Sequence, residues 1–226
     1  MNERLGCLPI VLFLLLLVLL PFWFAQVMGV ALVKLRLDPQ TAMLVIVGIF
    51  FGSVVNIPVK RMVRHEDVIV HPFPHFGFFD RWPHLQRVRQ ETIVAVNLGG
   101  CIIPTMVAIY EIVQLVMDAW TSLFAVVLAV SINTAVCYRL AKPMKGIGIA
   151  MPAMVPPIVA VMAALVLAPD QAPPVAFVAG VLGPLLGADI LHLREIPRIA
   201  TGMASIGGAG TFDGIVLSGI LAAYLA

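Results

Sequence analysis

The sequence predicts an all-α membrane protein with about seven transmembrane helices, its N-terminus in the cytoplasm and its C-terminus outside. Hydrophobic residues make up 61% of the 226 residues and charged residues only 12%, a balance that soluble globular domains do not have. Seven apolar runs have the length that a helix needs to cross a hydrocarbon core of about 30 Å. The runs cover approximately residues 8–32, 41–58, 93–116, 119–138, 148–168, 174–193 and 204–225.

The first run and the basic residues give the predicted orientation. No small-residue cleavage site follows the run from Leu8 to Leu32, so it is predicted to be a retained signal anchor. With seven spans, twelve of the fourteen Lys and Arg residues fall on one side of the membrane, and only Lys34 and Arg36 fall on the other. The positive-inside rule places the basic side in the cytoplasm. The same ratio supports the count of seven, because a missed span would mix the two sides.

The second connector is the largest polar piece of a chain that is predicted to be one membrane domain, residues 1–226. It covers about residues 59–92 on the cytoplasmic side, where prolines prevent a continuous helix and aromatic residues favour the membrane interface. A short strand at residues 67–71 is compatible with the pattern. Four of the five histidines fall here, namely His65, His71, His75 and His84. A metal site is the alternative to a plain interfacial loop, but no cysteine joins them, and neither a metal nor a cofactor is predicted.

Two aspartates lie within the last two apolar runs, and they are the candidate catalytic residues. A carboxylate at membrane depth costs at least a few kcal/mol, so such a residue indicates function. Asp189 precedes Arg194 by five residues, or about 7–8 Å along a helix, and Asp213 lies roughly 13 Å into a fully helical seventh run. Consecutive helices with a short connector are usually antiparallel neighbours, so the two carboxyl groups are expected to meet on the cytoplasmic side.

Several other residues are candidates for supporting the acidic pair. Gly207, Gly208 and Gly210 favour local unwinding, and they leave room for an extended substrate backbone. Gly214 continues a stripe of small residues at helical spacing, which allows a neighbouring backbone to approach closely. The remaining candidates are polar side chains within apolar runs: His192, three residues after Asp189 and on the same helical face, and the amides Asn97 and Asn133.

Three readings of the acidic pair stay open. Two adjacent carboxyl groups share one proton, so that one acts as base and the other as acid on a water molecule that attacks a peptide carbonyl. The same two acids are able to bind a cation or relay protons in a transporter or channel, with Asn97 and Asn133 along the path. In the structural reading, Asp189 pairs with His192 or Arg194, and Asp213 caps a helix or forms local hydrogen bonds.

Four short motifs resemble a prokaryotic membrane family of unknown activity, the domain-of-unknown-function family numbered 1614. They are Gly52-Ser53-Val54-Val55-Asn56-Ile57-Pro58, Asn97-Leu98-Gly99-Gly100, Gly187-Ala188-Asp189 and the run from Ala204 to Ile215, ASIGGAGTFDGI. The resemblance covers nearly the whole chain. It implies a multi-pass protein of a prokaryotic plasma membrane and implies no activity.

The order of the two acids is also similar, more distantly, to that in signal peptide peptidases and presenilins. Those intramembrane aspartyl proteases have one catalytic aspartate on an inward-running sixth helix and another in a Gly-x-Gly-Asp motif on the seventh. Here two residues separate Gly210 from Asp213, no tyrosine precedes Asp189, and Pro152-Ala153-Met154 is the nearest match to the Pro-Ala-Leu motif of those enzymes.

The sequence therefore favours an intramembrane aspartyl-type protease, with Asp189 and Asp213 as acid and base. A small ion- or proton-coupled transporter and a structural membrane protein are the alternatives. The predicted partners are the lipid bilayer and either a membrane-helix substrate or a cation. A nucleic-acid enzyme and a secreted enzyme are excluded by the composition.

Overall fold

A computed structural model describes residues 8–70, 84–144, 146, 148–196 and 202–226, although the side chains of Leu8, 64–70 and 84–90 lie outside the description. Within these ranges the chain is mostly helical and contains two small sheets. The helices are α1 (Leu8–Lys34), α2 (Pro39–Gly52), α3 (Ile103–Asp118), α4 (Ser122–Leu140), α5 (Val155–Leu167), α6 (Ala172–Pro184) and α7 (Gly214–Leu225). The strands are β1 (Asn56–Val70), β2 (His84–Asn97), β3 (Lys142–Met144), β4 (Gly148–Ala150) and β5 (Met203–Ile206). Two π-helical turns, Leu98–Ile102 and Leu185–Ile190, precede α3 and follow α6.

Each of the seven predicted runs overlaps one of these helices, but not all of the helices reach membrane length. Among the described residues, four helical stretches are long and apolar enough to cross a bilayer: Pro9–Lys34, Leu98–Asp118, Ser122–Leu140 and Pro169–Glu195. The other three apolar helices are shorter, namely Pro39–Gly52, Val155–Leu167 and Gly214–Leu225. The chain is therefore a membrane protein with several apolar helices.

The prediction of an all-α fold is wrong in one respect, because four predicted runs contribute residues to strands, and one of them, 148–168, begins with β4. β1 and β2 form an antiparallel hairpin that pairs Asn56 with Asn97, and β5 adds to β2 in parallel, with Val96 opposite Ile206. The predicted spans 41–58, 93–116 and 204–225 thus lose residues to this three-stranded sheet, whose order is β1-β2-β5. Apolar β-branched residues at the C-terminal end of β2 suit a strand as well as a membrane helix, and hydropathy does not separate the two.

Most of the predicted connector also belongs to the hairpin rather than to an irregular interfacial loop. β1 extends from Asn56 to Val70, so residues 67–70 of the possible short strand at residues 67–71 are the end of a longer one, and residue 71 lies outside the described residues. Residues 71–83, with His71 and His75, lie outside the described residues, as do the side chains of His65 and His84. The alternative of a histidine metal site therefore lies outside the description too. Among the residues that are described, no group of three or more His, Cys, Asp or Glu side chains has an arrangement suited to a metal ion.

Helix α6 lies at the centre of the bundle and packs against α3, α4, α5 and α7. Almost every residue of α6 is buried, as expected for a helix that is apolar on all sides and surrounded by protein. Small residues permit the close packing: a Cβ added at Gly180 would lie 2.7 Å from the carbonyl oxygen of Ser218 on α7. The first half of α1 shows the opposite pattern, since its large apolar side chains from Ile10 to Leu20 are exposed, as contact with lipid requires.

The two ends of the bundle are built differently. At one end, which we call the turn end, tight connections join α1 to α2, α3 to α4 and α5 to α6. Here Arg36 forms an ion pair with Asp118 at 3.1 Å, and Lys34 Nζ donates a hydrogen bond to the carbonyl oxygen of Tyr224. Asp38 caps α2, and the hydrogen bonds that it accepts from the Thr41 backbone N–H and hydroxyl lower the pKa of its carboxyl group. The opposite end, which we call the sheet end, carries all five strands.

Candidate functional site

The glycine-rich motif before α7 forms a loop that packs against the glycines that follow β2. Gly207 has a φ of +71° and Gly210 a φ of +63°, a conformation that favours glycine. A Cβ on Gly207 would lie 2.6 Å from the carbonyl carbon of Gly100, and a Cβ on Gly100 would overlap the carbonyl oxygen of Gly207. Gly210 packs in the same way against the side chain of Ser53. Two of the motifs quoted for the family resemblance are therefore in direct backbone contact.

Polar side chains from the same motifs hold this contact together. Asn97 is fully buried, and its amide nitrogen donates to the Ser53 carbonyl oxygen at 2.8 Å and to Asn56 Oδ1 at 3.1 Å. Its amide oxygen accepts from the Gly100 N–H at 2.7 Å and so caps the π-helical turn. The hydroxyl groups of Ser53 and Thr211 are 2.9 Å apart, and Ser205 Oγ donates to Asn56 Oδ1 at 2.5 Å. Asn97 thus organises the sheet end and does not line the cavity described next.

A cavity of about 370 Å³ opens beside the glycine loop, and both candidate aspartates line it. Its walls come from the described elements of the sheet end: β4, β5, the glycine loop, the end of α6 and the start of α7. Besides Asp189 and Asp213, the lining residues are Gly148, Ile149, Ile196, Met203, Ala204, Ser205, Ile206, Gly207, Gly208 and Ala209. Residues that are distant in sequence thereby form one concave site with two carboxyl groups.

Asp189 lies in the π-helical turn at the end of α6. π-Helical turns within helices are rare and frequently occur at functional sites. The turn is positioned by Gly187, where a Cβ would lie 2.8 Å from Cys137 Cβ on α4. Among the described residues, neither His192 nor Arg194 forms the ion pair with Asp189 that the structural reading expected.

Asp213 is the N-cap of α7, and so it does not lie within a helix as the depth argument assumed. Its Oδ1 accepts a hydrogen bond from the Ile215 N–H at 3.0 Å, and its Oδ2 accepts one from the Ala209 N–H at 3.2 Å. An aspartate is among the preferred residues at this position, because its carboxylate satisfies the free N–H groups of the first turn. The local hydrogen bonding of the structural reading is therefore present, on a side chain that also lines the cavity.

The other candidate residues lie around the cavity or away from it. Gly207 and Gly208 line it, Gly210 packs behind the loop, and Gly214 begins α7 with open space at its Cβ position. His192 is buried, its Nδ1 lies 3.0 Å from the Gly187 carbonyl oxygen, and its ring stacks on Tyr138. Asn133 is fully buried between α4 and α6, where its amide nitrogen donates to the Ala179 carbonyl oxygen at 2.8 Å.

The strand residues of the cavity were not predicted from the sequence. Gly148 and Ile149 belong to β4, and Ala204 and Ser205 belong to β5, within segments that hydropathy assigns to membrane helices. One available signal was the clustering of polar side chains within the motifs, since Ser53, Asn56 and Ser205 are costly in a lipid-facing helix. Their mutual hydrogen bonds explain why they occur together.

The fold and the site define a class: a helical membrane protein with a small sheet at one end and two carboxyl groups in a cavity beside it. The family model described as protein of unknown function DUF1614 matches residues 50–225. The chain belongs to this family, as the resemblance of its motifs implied. No curated protein and no solved structure matches the chain.

Proposed function

We propose that the protein is a membrane-embedded hydrolase that cleaves peptide bonds with Asp189 and Asp213 as its acid and base. The observation that carries this proposal is that both carboxyl groups line one cavity together with an edge strand. Two carboxyl groups that line one cavity are suited to activating a water molecule and protonating a leaving group.

The strand edge favours a peptide over other substrates. β5 is the last strand of its sheet, and Met203, Ala204, Ser205 and Ile206 all line the cavity. An extended peptide binds an exposed strand edge through main-chain hydrogen bonds. Gly207 and Gly208, in the turn that follows β5, also line the cavity and have no side chains that would fill it.

The hydrogen bonds suggest how the two roles divide. Asp213 accepts two backbone N–H groups, which stabilise a carboxylate, whereas no hydrogen bond to the Asp189 carboxyl group is found among the described residues. We therefore assign the base to Asp213 and the acid to Asp189. Asp213 takes a proton from water while the water oxygen bonds to the peptide carbonyl carbon. Asp189 protonates the carbonyl oxygen, which gives a gem-diol. Asp213 then passes its proton to the amide nitrogen as the C–N bond breaks and the amine leaves, and a diol hydroxyl returns a proton to Asp189 as the carboxylic acid product forms.

The test is cleavage of a model membrane-helix peptide by the full-length protein in liposomes. Asp189→Asn and Asp213→Asn preserve side-chain shape. Asparagine caps helices as well as aspartate does, so Asp213→Asn removes the acid and keeps the capping bond from the Ile215 N–H, although its amide nitrogen does not accept from the Ala209 N–H. We expect each variant to lose at least about 100-fold in rate, as is typical for general acid–base catalysis. Asp170→Asn, which changes an exposed carboxyl group at the turn end, is the matched control and should cleave like the wild type.

Undiminished cleavage by both variants would show that these acids are not catalytic, and absence of cleavage by the wild type would refute the proposal.

Ion- or proton-coupled transport is the second candidate function, and it is favoured by two buried hydroxyl groups. Thr134 Oγ1 and Ser218 Oγ lie in the helical bundle without a hydrogen-bond partner, as hydroxyl groups along a solvent path would. Ion flux through liposomes that contain the wild-type protein, together with no flux through liposomes that contain the Asp189→Asn variant, would support that function instead.

A further inference from the structure

A second cavity, of about 170 Å³, lies at the turn end, opposite the cavity of Asp189 and Asp213. Its polar lining comes from α3, from the α1–α2 turn and from the segment before α6. The side chains that matter are Arg36, Tyr110, Glu111, Gln114, Asp118 and Gln171. Glu111, Gln114 and Asp118 are three and four residues apart on α3 and therefore share one face of that helix.

Glu111 is the unusual member of this group, because it is 3% exposed and its Oε1 has no hydrogen-bond partner in the part of the chain that the structure describes. A buried carboxyl oxygen without a partner is costly, and in native proteins such a group needs an explanation. Glu111 also lies about 10 Å along α3 from Asp118, so it is set well into the bundle. An ion bound in the adjacent cavity would satisfy it.

The charges around the cavity favour a cation. Arg36 is the basic residue of the lining, and its Nη1 is engaged with Asp118 Oδ2 at 3.1 Å. Lys34, the other nearby base, donates to the Tyr224 carbonyl oxygen. With both acids ionised, the two carboxylates and one guanidinium carry a net charge of −1, which one monovalent ion would neutralise.

The available ligand atoms are hard oxygen donors: the two carboxyl groups, the amide oxygens of Gln114 and Gln171, and the Tyr110 hydroxyl. Gln171 Oε1 already accepts from Ser122 Oγ, which fixes its orientation. Oxygen ligands of this kind suit hard cations rather than thiophilic metals. We propose that this cavity is a binding site for a monovalent alkali cation, with Glu111 as its principal ligand.

The test is the thermal unfolding of the full-length protein in detergent, in sodium or potassium chloride against N-methylglucamine chloride at equal ionic strength and pH. Trp120, in the α3–α4 turn, provides a fluorescence signal from this end. At an ion concentration about 100 times its Kd, we expect the alkali ion to raise the apparent Tm of the wild type by roughly 5–10 °C. Glu111→Gln should abolish this rise, whereas Asp170→Asn, an exposed carboxyl group at the same end, should retain it.

An equal rise in the Glu111→Gln variant would overturn the proposal, because the ion effect would then not depend on the site. A wild-type Tm that follows pH and not the alkali ion would overturn it as well, by showing that a proton satisfies Glu111. If Glu111→Gln does not fold, equilibrium dialysis of the wild type with radioactive sodium or rubidium decides. One ion bound per chain supports the site, and binding well below one ion per chain refutes it.

Discussion

The sheet end and the turn end hold the same helices together by different means. At the sheet end, glycine backbones touch and a fully buried asparagine connects three segments. At the turn end, the contacts are exposed: the Arg36 and Asp118 side chains are 73% and 46% accessible. Changing a tightly packed buried contact lowers the free energy of unfolding considerably, whereas removing an exposed ion pair lowers it little. The comparison teaches that rigidity is concentrated where the two aspartates lie.

The largest effect is expected from Gly207→Ala. The new Cβ would lie 2.6 Å from the Gly100 carbonyl carbon, and φ at this position is +71°. We expect a loss of about 3 kcal/mol or more in the free energy of unfolding, or failure to fold. Unfolding in mixed detergent micelles measures the loss. Gly214→Ala is the control, since open space surrounds its Cβ position, and equal losses in the two variants would contradict the close packing of the loop.

An intermediate effect is expected from Asn97→Ala. The change leaves the Gly100 N–H and the Ser53 carbonyl oxygen without their side-chain partner in a buried site. We expect a loss of about 2–3 kcal/mol, the range for orphaned buried polar groups, in the same unfolding measurement. Asn56→Ala, on an exposed residue of the same network, should cost clearly less. If Asn56→Ala cost more than Asn97→Ala, the burial of a side chain would not determine how much it stabilises the sheet end.

The smallest effect is expected at the turn end, from Arg36→Ala. Its ion pair with Asp118 is exposed, so its removal should cost less than about 1 kcal/mol. Arg36→Gly should cost less still, because Arg36 has a φ of +58°, where glycine is favoured. Unfolding at low and high salt measures both variants. A loss comparable to that of Asn97→Ala would show that the two ends are equally rigid.

The family membership and the apolar helices were predictable from the sequence, and both predictions are confirmed, the first by the match over residues 50–225. The count of seven spans and the orientation of the termini remain predictions. The helices that start at the sheet end are shorter than their apolar runs because the runs continue into strands or loop. α7 begins at Gly214, ten residues after the predicted start of its run. Hydropathy reports how apolar a segment is and not whether its backbone forms hydrogen bonds within a helix or with a neighbouring strand. β5 was therefore included in a predicted membrane helix.

The candidate site was predicted only in its acids and its glycines. Asp189 and Asp213 were identified because carboxyl groups are costly in apolar runs. The role of Gly207 and Gly210 in contacting Gly100 and Ser53 was not predictable, since the partners lie about 100 residues or more away in the sequence. Glu111 was not predicted, although in the sequence it is an acidic residue within the apolar run 93–116.

The sequence by itself determined that this is a membrane protein of the family DUF1614, because apolar length and motif identity are local properties of the chain. Only the tertiary structure decided that both aspartates line one cavity, that an edge strand lies beside them, and that Glu111 is buried without a partner. Each of these depends on which backbone pairs with which. Strand pairing and close glycine packing join distant segments, so their contribution to the free energy of folding cannot be read from either segment alone.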